Sequence, residues 1–410
     1  MNILFLSELF YPHGGGAELA THLYAKLLSE AGFNVIVVTN KFNGEPDISR
    51  SRNMVVYRLP LFKEVGNVKY SILRRGDVLL SSFMRKMMKW TNVVYVPRFW
   101  FSSILLAKAY RKPVVTHVHD YIPVCPLANL FDVSRNAVCD NATCSLKCVY
   151  SFERAGGRSL IGTLESVLLN PNFGRYFSRL IGLSDAVICV SEAQRQLIKK
   201  KHEGWVLKLH VVYNPLPEVS LSEMKANGED FGYFGGPSYM KGFHVLFKAA
   251  VYFARHKREP PRIHATKFKG FGGRFCEVFS RFGIIPYGKL STKDYGELYN
   301  KIGTVVVPSI WAEPLPYVVT EAMLRGKLVI ASSVGGIPEQ VAGCEGAFLF
   351  DAGDYEHLTE KMLYVRGLSK ETVVNLGTKN RECTMRKFDN GKIATDFVNL
   401  LVKVADKNQA

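Results

Sequence analysis

A chain of 410 residues and 46.1 kDa exceeds what one hydrophobic core ordinarily supports, and a content of 47% hydrophobic, 22% charged and 12% aromatic residues excludes long disorder, coiled coil and collagen-like repetition. Its 53 Lys and Arg against 36 Asp and Glu give a net charge of +17, a field that draws nucleic acid, anionic headgroups or phosphorylated small molecules. The excess lies mainly in the first half, where residues 1–200 carry 25 bases and 14 acids.

The amino terminus lacks a basic leader and places Glu8 inside its apolar run, so it predicts a first strand, Ile3–Leu6, and a cytoplasmic chain. Gly14-Gly15-Gly16 follows, then a helix from Ala17 toward Leu28; such a turn lets backbone approach a phosphate or sugar at a helix N-terminus, or serves only to reverse the chain. Leu19 stands where G-x-G-x-x-G needs its third glycine, which weakens a dinucleotide reading. Apolar β-branched runs recur at Val35–Thr39, Val55–Tyr57, Val93–Val96, Val114–His117, Val187–Val190 and Val211–Tyr213. With helical stretches between them they predict parallel βαβ units. Val93–Ala107 is interrupted by Arg98 and is too short to cross a membrane.

Three further features mark the first half. Residues 63–89 interleave Lys63, Lys69, Arg74, Arg75, Arg85, Lys86 and Lys89 with apolar side chains, which suits an anionic membrane surface or a solvated helix completing a core. His117, His119 and Asp120 end a strand, where an imidazole can bond a sugar hydroxyl, sit capped in the structure or join a metal site. Cys125, Cys139, Cys144 and Cys148 lie within 24 residues, in a spacing open to metal, disulfides or reduced thiols, whereas Cys189, Cys276, Cys344 and Cys383 read as reduced core residues. A capping box, Ser191 with Gln194, opens the helix after Val187–Val190.

The polar stretch Glu218–Asp230 reads as a linker, after which the pattern restarts with strands Phe231–Phe234, Thr304–Val307 and Leu328–Ala331. The expected domains are 1–214, 215–388, and a C-terminal helix, 389–410, packing back toward the first domain. In the second domain, Gly235-Gly236 precedes Lys241-Gly242 at a strand–turn–helix step, where a lysine can pair with a diphosphate. Ser309–Met323 holds Glu313 and Glu321 eight apart, the second inside a helix primed by Pro316; each carboxylate can accept from vicinal hydroxyls or complement the helix dipole.

The E-x7-E spacing with its Ala322-Met323-x-x-Gly326 continuation, the Gly335-Gly336-Ile337-Pro338-Glu339 loop, Lys241-Gly242, the N-terminal glycine turn and His119-Asp120-Tyr121 occur in the order that resembles family 4 glycosyltransferases, across residues 2 to about 365. The resemblance implies an α/β GT-B fold: two Rossmann-like, doubly wound domains facing a central cleft, the first on the acceptor side and the second binding a nucleotide sugar. It implies retaining transfer from a UDP- or GDP-sugar to a glycan or polyprenyl-linked acceptor, with no required cofactor or metal. His119, Glu313 and Lys241 take the catalytic roles. Gly15, Gly16, Gly235, Gly236, Lys241, Glu313, Leu315, Pro316, Tyr317, Val318 and Glu321 line the donor site, with Glu321 on the ribose and Lys241 on the diphosphate. Two departures stand out: Gly235-Gly236-Pro237 stands where the family usually has G-R-L, so the arginine that partners the lysine is absent, and Pro316 replaces a glycine, leaving the Tyr317 and Val318 amides for phosphate. The competing readings are a GT-B sugar-nucleotide epimerase, an inactive nucleotide-sugar-binding relative, and a nucleic-acid-binding protein, for which no recognition helix or RNA-binding strand motif is found. The expected location is cytoplasmic, peripheral on the inner face of the membrane if the basic segment docks there.

Overall fold

The computed structural model describes residues 1–63, 75–139, 146–219, 230–256, 259–268 and 273–407. The chain divides into two compact units, residues 1–215 with 389–410, and residues 216–388.

The first unit is built on β1 (Asn2–Leu6), β2 (Asn34–Asn40), β3 (Ile48–Ser51), β4 (Met54–Leu59), β5 (Val93–Val96) and β6 (Val114–Val118). A small hairpin, β7 (Phe131–Asp132) and β8 (Ala137–Val138), precedes β9 (Ala186–Cys189) and β10 (Leu209–Val211). The main sheet runs β10-β9-β6-β5-β1-β2-β4-β3, parallel except for the edge pair β3–β4. Its central strands are buried on both faces, which is why they read as unbroken apolar runs and not as alternation. β10 begins two residues earlier than the run Val211–Tyr213 suggested, because its register is set by pairing Leu209 with Val187.

The helices that matter below are α1 (Gly16–Glu30), α2 (Ser82–Trp90), α3 (Leu146–Ala155), α4 (Leu160–Gly182) and α5 (Glu192–Lys201). α2 turns Met84 and Met88 into the core and leaves Arg85, Lys86 and Lys89 in solvent. In the segment 63–89, then, the apolar side chains of α2 complete a core; residues 64–74 lie outside the described residues.

The second unit is an all-parallel sheet, β13 (Ile284–Pro286), β12 (Ile263–Ala265), β11 (Asp230–Tyr233), β14 (Ile302–Val307), β15 (Leu328–Ser332) and β16 (Ala347–Phe350), in that spatial order. It carries α6 (Phe243–His256), α7 (Tyr317–Leu324) and α8 (Lys370–Lys387). The last helix, α9 (Asn390–Lys407), belongs to the first unit and packs Phe397 against Tyr24, with the rings tilted, and edge-on to Tyr95, at 4.5 and 5.3 Å between ring centres.

The cysteine reading needs one correction. Cys344 and Cys383 are joined in a disulfide, although each looked like an isolated core thiol. The tertiary structure brings them together: Asn380 of α8 accepts from the Gly346 amide at 2.9 Å and donates to the Lys327 carbonyl at 3.0 Å, which pins α8 over the turn that holds Cys344. Of the four clustered cysteines, Cys125 Sγ donates to Asn129 Oδ1 and Cys148 Sγ to the Phe131 carbonyl, both at 3.8 Å, while Cys144 lies outside the described residues.

Candidate functional site

Both sheets reverse their winding at one point, and in parallel sheets ligands bind at the carboxyl ends of the strands beside such a reversal. In the first unit that point is β1–β5, with β6 next to β5. In the second it is β11–β14, with β12 on the other side of β11. The charged residues of each unit gather there.

In the first unit, Glu8 follows β1, Arg98 follows β5, and His119 and Asp120 follow β6. Arg98 lies 2.9 Å from Glu18 Oε1, 3.7 Å from Asp120 Oδ2 and 3.8 Å from Glu8 Oε1. Burial pushes the Glu8 carboxyl up to about 7, despite the guanidinium drawing it down. Arg98, Phe99, His117, His119 and Asp120 line a recess. Within it His117 Nδ1 bonds the Tyr95 hydroxyl at 2.7 Å and stacks on His119, whose Nε2 has no partner among the described residues. Burial first, then His117 and Arg98, hold His119 well below the usual histidine range, so it is a neutral imidazole at pH 7.

The glycine turn differs from its expected use. α1 begins at Gly16 with Gly15 as its cap, and Glu18 reaches back to accept from the Gly15 amide at 2.6 Å. That amide is therefore engaged within the chain, and a carboxylate stands beside the turn where an anionic ligand was expected.

In the second unit, Lys241 Nζ lies 2.6 Å from Glu313 Oε1, and Ser309 Oγ donates to the same oxygen at 2.6 Å. Both of these contacts fall on Oε1, not on Oε2. Two glycines make the approach possible. Gly242, at φ +71, passes the Pro308 carbonyl so closely that a Cβ would stand 1.7 Å from its oxygen. Gly335, at φ +52, would put a Cβ 2.2 Å from the Glu313 carbonyl, which the Gly336 amide meets at 2.7 Å. The Lys-Gly turn and the Gly-Gly loop thus clamp the segment carrying Glu313 from two sides.

Glu321 lies in α7, whose cap is Pro316 and which no side chain caps. Burial raises the Glu321 carboxyl, and Arg325, Lys267 and the Tyr295 hydroxyl beside it draw it down. Tyr317 and Val318 open the helix. Gly235 and Gly236 are held by Tyr233, whose hydroxyl donates to the Gly236 carbonyl at 2.8 Å, and Leu315 is buried. The structure thus gathers Lys241, Glu313 and Glu321 at one edge of the second sheet, and His119 with the glycine turn at the edge of the first.

Sequence reasoning missed Lys267. It follows β12 in the left-handed region, at φ +70, a backbone that an L side chain rarely adopts and that concentrates at functional sites. Its Cβ lies 3.3 Å from where a Cβ on Gly236 would stand. Burial lowers its ammonium, with Lys241 adding to the effect and Glu321 opposing it. Glu8, Glu18 and Arg98 were missed too, although Glu8 and Arg98 are visible in the sequence as charges that break apolar runs.

The fold and the two carboxyl edges define a GT-B glycosyltransferase. The family model described as Glycosyltransferase Family 4 matches residues 14–218, half of the chain, and that described as Glycosyl transferases group 1 matches residues 283–382. The chain belongs to glycosyltransferase family 4. Among solved structures it is similar to sucrose-phosphate synthase from Thermosynechococcus elongatus, with a TM-score of 0.68 at 16% identity over 98% of both chains. It is similar also to Anabaena HepE in complex with UDP-glucose, with a TM-score of 0.62 at 19% identity over 98% of this chain and 100% of that one. An uncharacterized 42.6 kDa protein in the cps region of Klebsiella pneumoniae is 23% identical over 364 residues, 83% of this chain and 87% of that protein.

Proposed function

We propose that this glycosyltransferase moves a sugar, with retention, from a nucleotide-diphosphate sugar to a glycan or lipid-linked acceptor. The observation that carries the reading is the edge of the second sheet: an ammonium, Lys241, paired at 2.6 Å with Glu313, beside the half-buried Glu321 and a second ammonium, Lys267. Glu321 would hold the ribose hydroxyls. Lys241, Lys267 and the amides opening α7 would take the diphosphate. Glu313 would use Oε2 on the hydroxyls of the donor sugar while Lys241 and Ser309 steady Oε1. Lys267 would take the role left open where Gly236 replaces the usual arginine, and its charge can meet the negative charge that grows on the departing diphosphate.

In the first unit, the neutral His119 and its unpartnered Nε2 suit a hydrogen bond to a sugar hydroxyl, and the first unit would take the acceptor. No carboxylate is assigned as a covalent nucleophile; the departing phosphate oxygen would assist the acceptor hydroxyl on the same face. The UDP-glucose complex of HepE supports a uridine donor, and GDP-sugars are the alternative. No cofactor or metal is assigned a role.

A thermal-shift panel of UDP- and GDP-sugars tests the reading, since a donor that binds only the native state raises its apparent stability. The expected result is a shift with one nucleotide class, lost in Lys241→Ala and Glu321→Ala. No shift with any nucleotide sugar overturns it. Product analysis with the donor so found separates transfer from epimerisation, which would leave the nucleotide sugar converted without an acceptor.

A further inference from the structure

Helix α4 is built inside out over its first eleven residues. Its buried positions are Thr163, Ser166 and Asn170, whereas Leu160, Ile161, Leu164, Leu168 and Leu169 are exposed, Ile161 at 74% and Leu168 at 71%. A helix packed on a protein in water shows the opposite pattern. The polar inner face is satisfied: Ser166 and Asn170 bond Glu153 of α3, and Thr163 Oγ1 donates to the Ser159 carbonyl at 2.8 Å. Packing therefore determines which face points in, and a stripe of about 15 Å, apolar but for the exposed Glu165, is left outward. Such a stripe marks an interaction surface.

The charge around it selects the occupant. Lys147 and Arg154 of α3 and Arg175 and Arg179 of α4 are exposed, and residues 146–183 hold five bases against two acids, one of which, Glu153, is paired with Arg158 at 3.2 Å. Arg175 and Arg179 continue the exposed stripe along α4 beyond Leu168. A second copy of the chain fits this surface poorly: antiparallel helices would lay these arginines on the other copy's leucines, and parallel helices would lay arginine on arginine. A membrane interface accommodates both halves at once, with leucines below the headgroups and guanidiniums at the phosphates.

We propose that the outward face of the α3–α4 pair docks on an anionic lipid bilayer. This face is distinct from the basic helix α2, whose methionines are spent on the core. It deepens the proposed function, because a transferase held at a bilayer meets a lipid-linked acceptor, and it rests on that reading only for its use, not for its binding.

The test is flotation of the full chain with vesicles of phosphatidylcholine alone or with about a third phosphatidylglycerol, using Leu164→Glu/Leu168→Glu and, separately, Arg175→Gln/Arg179→Gln. Flotation with the anionic vesicles is expected, weakened about tenfold or more by the glutamates and about fivefold per arginine removed. Both variants should bind the nucleoside diphosphate of the donor as the native chain does. No flotation of the native chain, or equal flotation of all three proteins, overturns the proposal, as does a dimer in sedimentation equilibrium that the glutamates dissociate. If lipid binding fails and nucleotide binding persists, only this inference falls; if nucleotide binding alone fails, only the proposed function does.

Discussion

The carboxyl edges of the two sheets are made by the same device and charged in opposite ways. At the first, three carboxylates, Glu8, Glu18 and Asp120, surround one guanidinium, Arg98, and the nearby imidazoles are neutral. At the second, Lys241 and Lys267 stand with Glu313 and Glu321 where the chain opens to solvent, and Arg325 adds a third cation. The first edge pairs its one guanidinium with its own acids and leaves buried groups without a hydrogen bond among the described residues, Glu8 Oε1 and Oε2 and His119 Nε2 included, which suit the hydroxyls of a sugar. The second keeps positive charge in reserve, as a diphosphate requires.

The largest test of that contrast is Arg98→Met. It should cost about 3–5 kcal/mol in urea unfolding at pH 8, because it strands buried carboxylates. A loss below about 1 kcal/mol would mean that the acids satisfy themselves without the guanidinium. Lys241→Ala should act chiefly on the chemistry, lowering transfer on the order of 10²-fold, with a smaller loss in unfolding than Arg98→Met because Ser309 still donates to the buried Glu313. Turnover near that of the native chain would remove this lysine from the chemistry.

Glu8→Gln sharpens the comparison through pH. Burial raises the folded-state pKa of Glu8 from an ordinary 4.5 to about 7, so the folded chain binds more protons than the unfolded one in that window. Its contribution to stability is fully present below pH 4.5 and is lost as pH rises through 7. The glutamine variant should flatten this decline and gain about 2 kcal/mol relative to the native chain between pH 5 and pH 8, measured by unfolding at both. The smallest effect is expected at Lys267→Ala: about tenfold weaker binding of the nucleoside diphosphate by calorimetry, with the nucleoside monophosphate changed less than about twofold, since an added cation acts on the diphosphate charge. Equal losses for both ligands would assign Lys267 to the fold and not to the phosphate.

Much of this site could be read along the chain. Glu313 and Glu321 share one loop-and-helix segment, and Lys241-Gly242 is a local turn, so their spacing is visible without coordinates. The need for Gly242 and Gly335 became clear only from the Pro308 and Glu313 carbonyls that they pass. Lys267 was invisible because it follows a short strand of three residues, Ile263–Ala265, that no long apolar run announces. Periodicity misleads outright at α4, where a stripe of leucines would ordinarily be assigned to the core.

By itself the amino-acid order determined what neighbouring residues can decide: apolar runs long enough to be buried strands, turns that need glycine, caps, and the acidic pair of one segment. The tertiary structure decided which distant groups share a charge environment. Parallel strands place the ends of residues far apart in the chain side by side, about 5 Å from strand to strand, and so Glu8 meets Arg98, Lys241 meets Glu313, and Cys344 meets Cys383 only once the sheets are assembled.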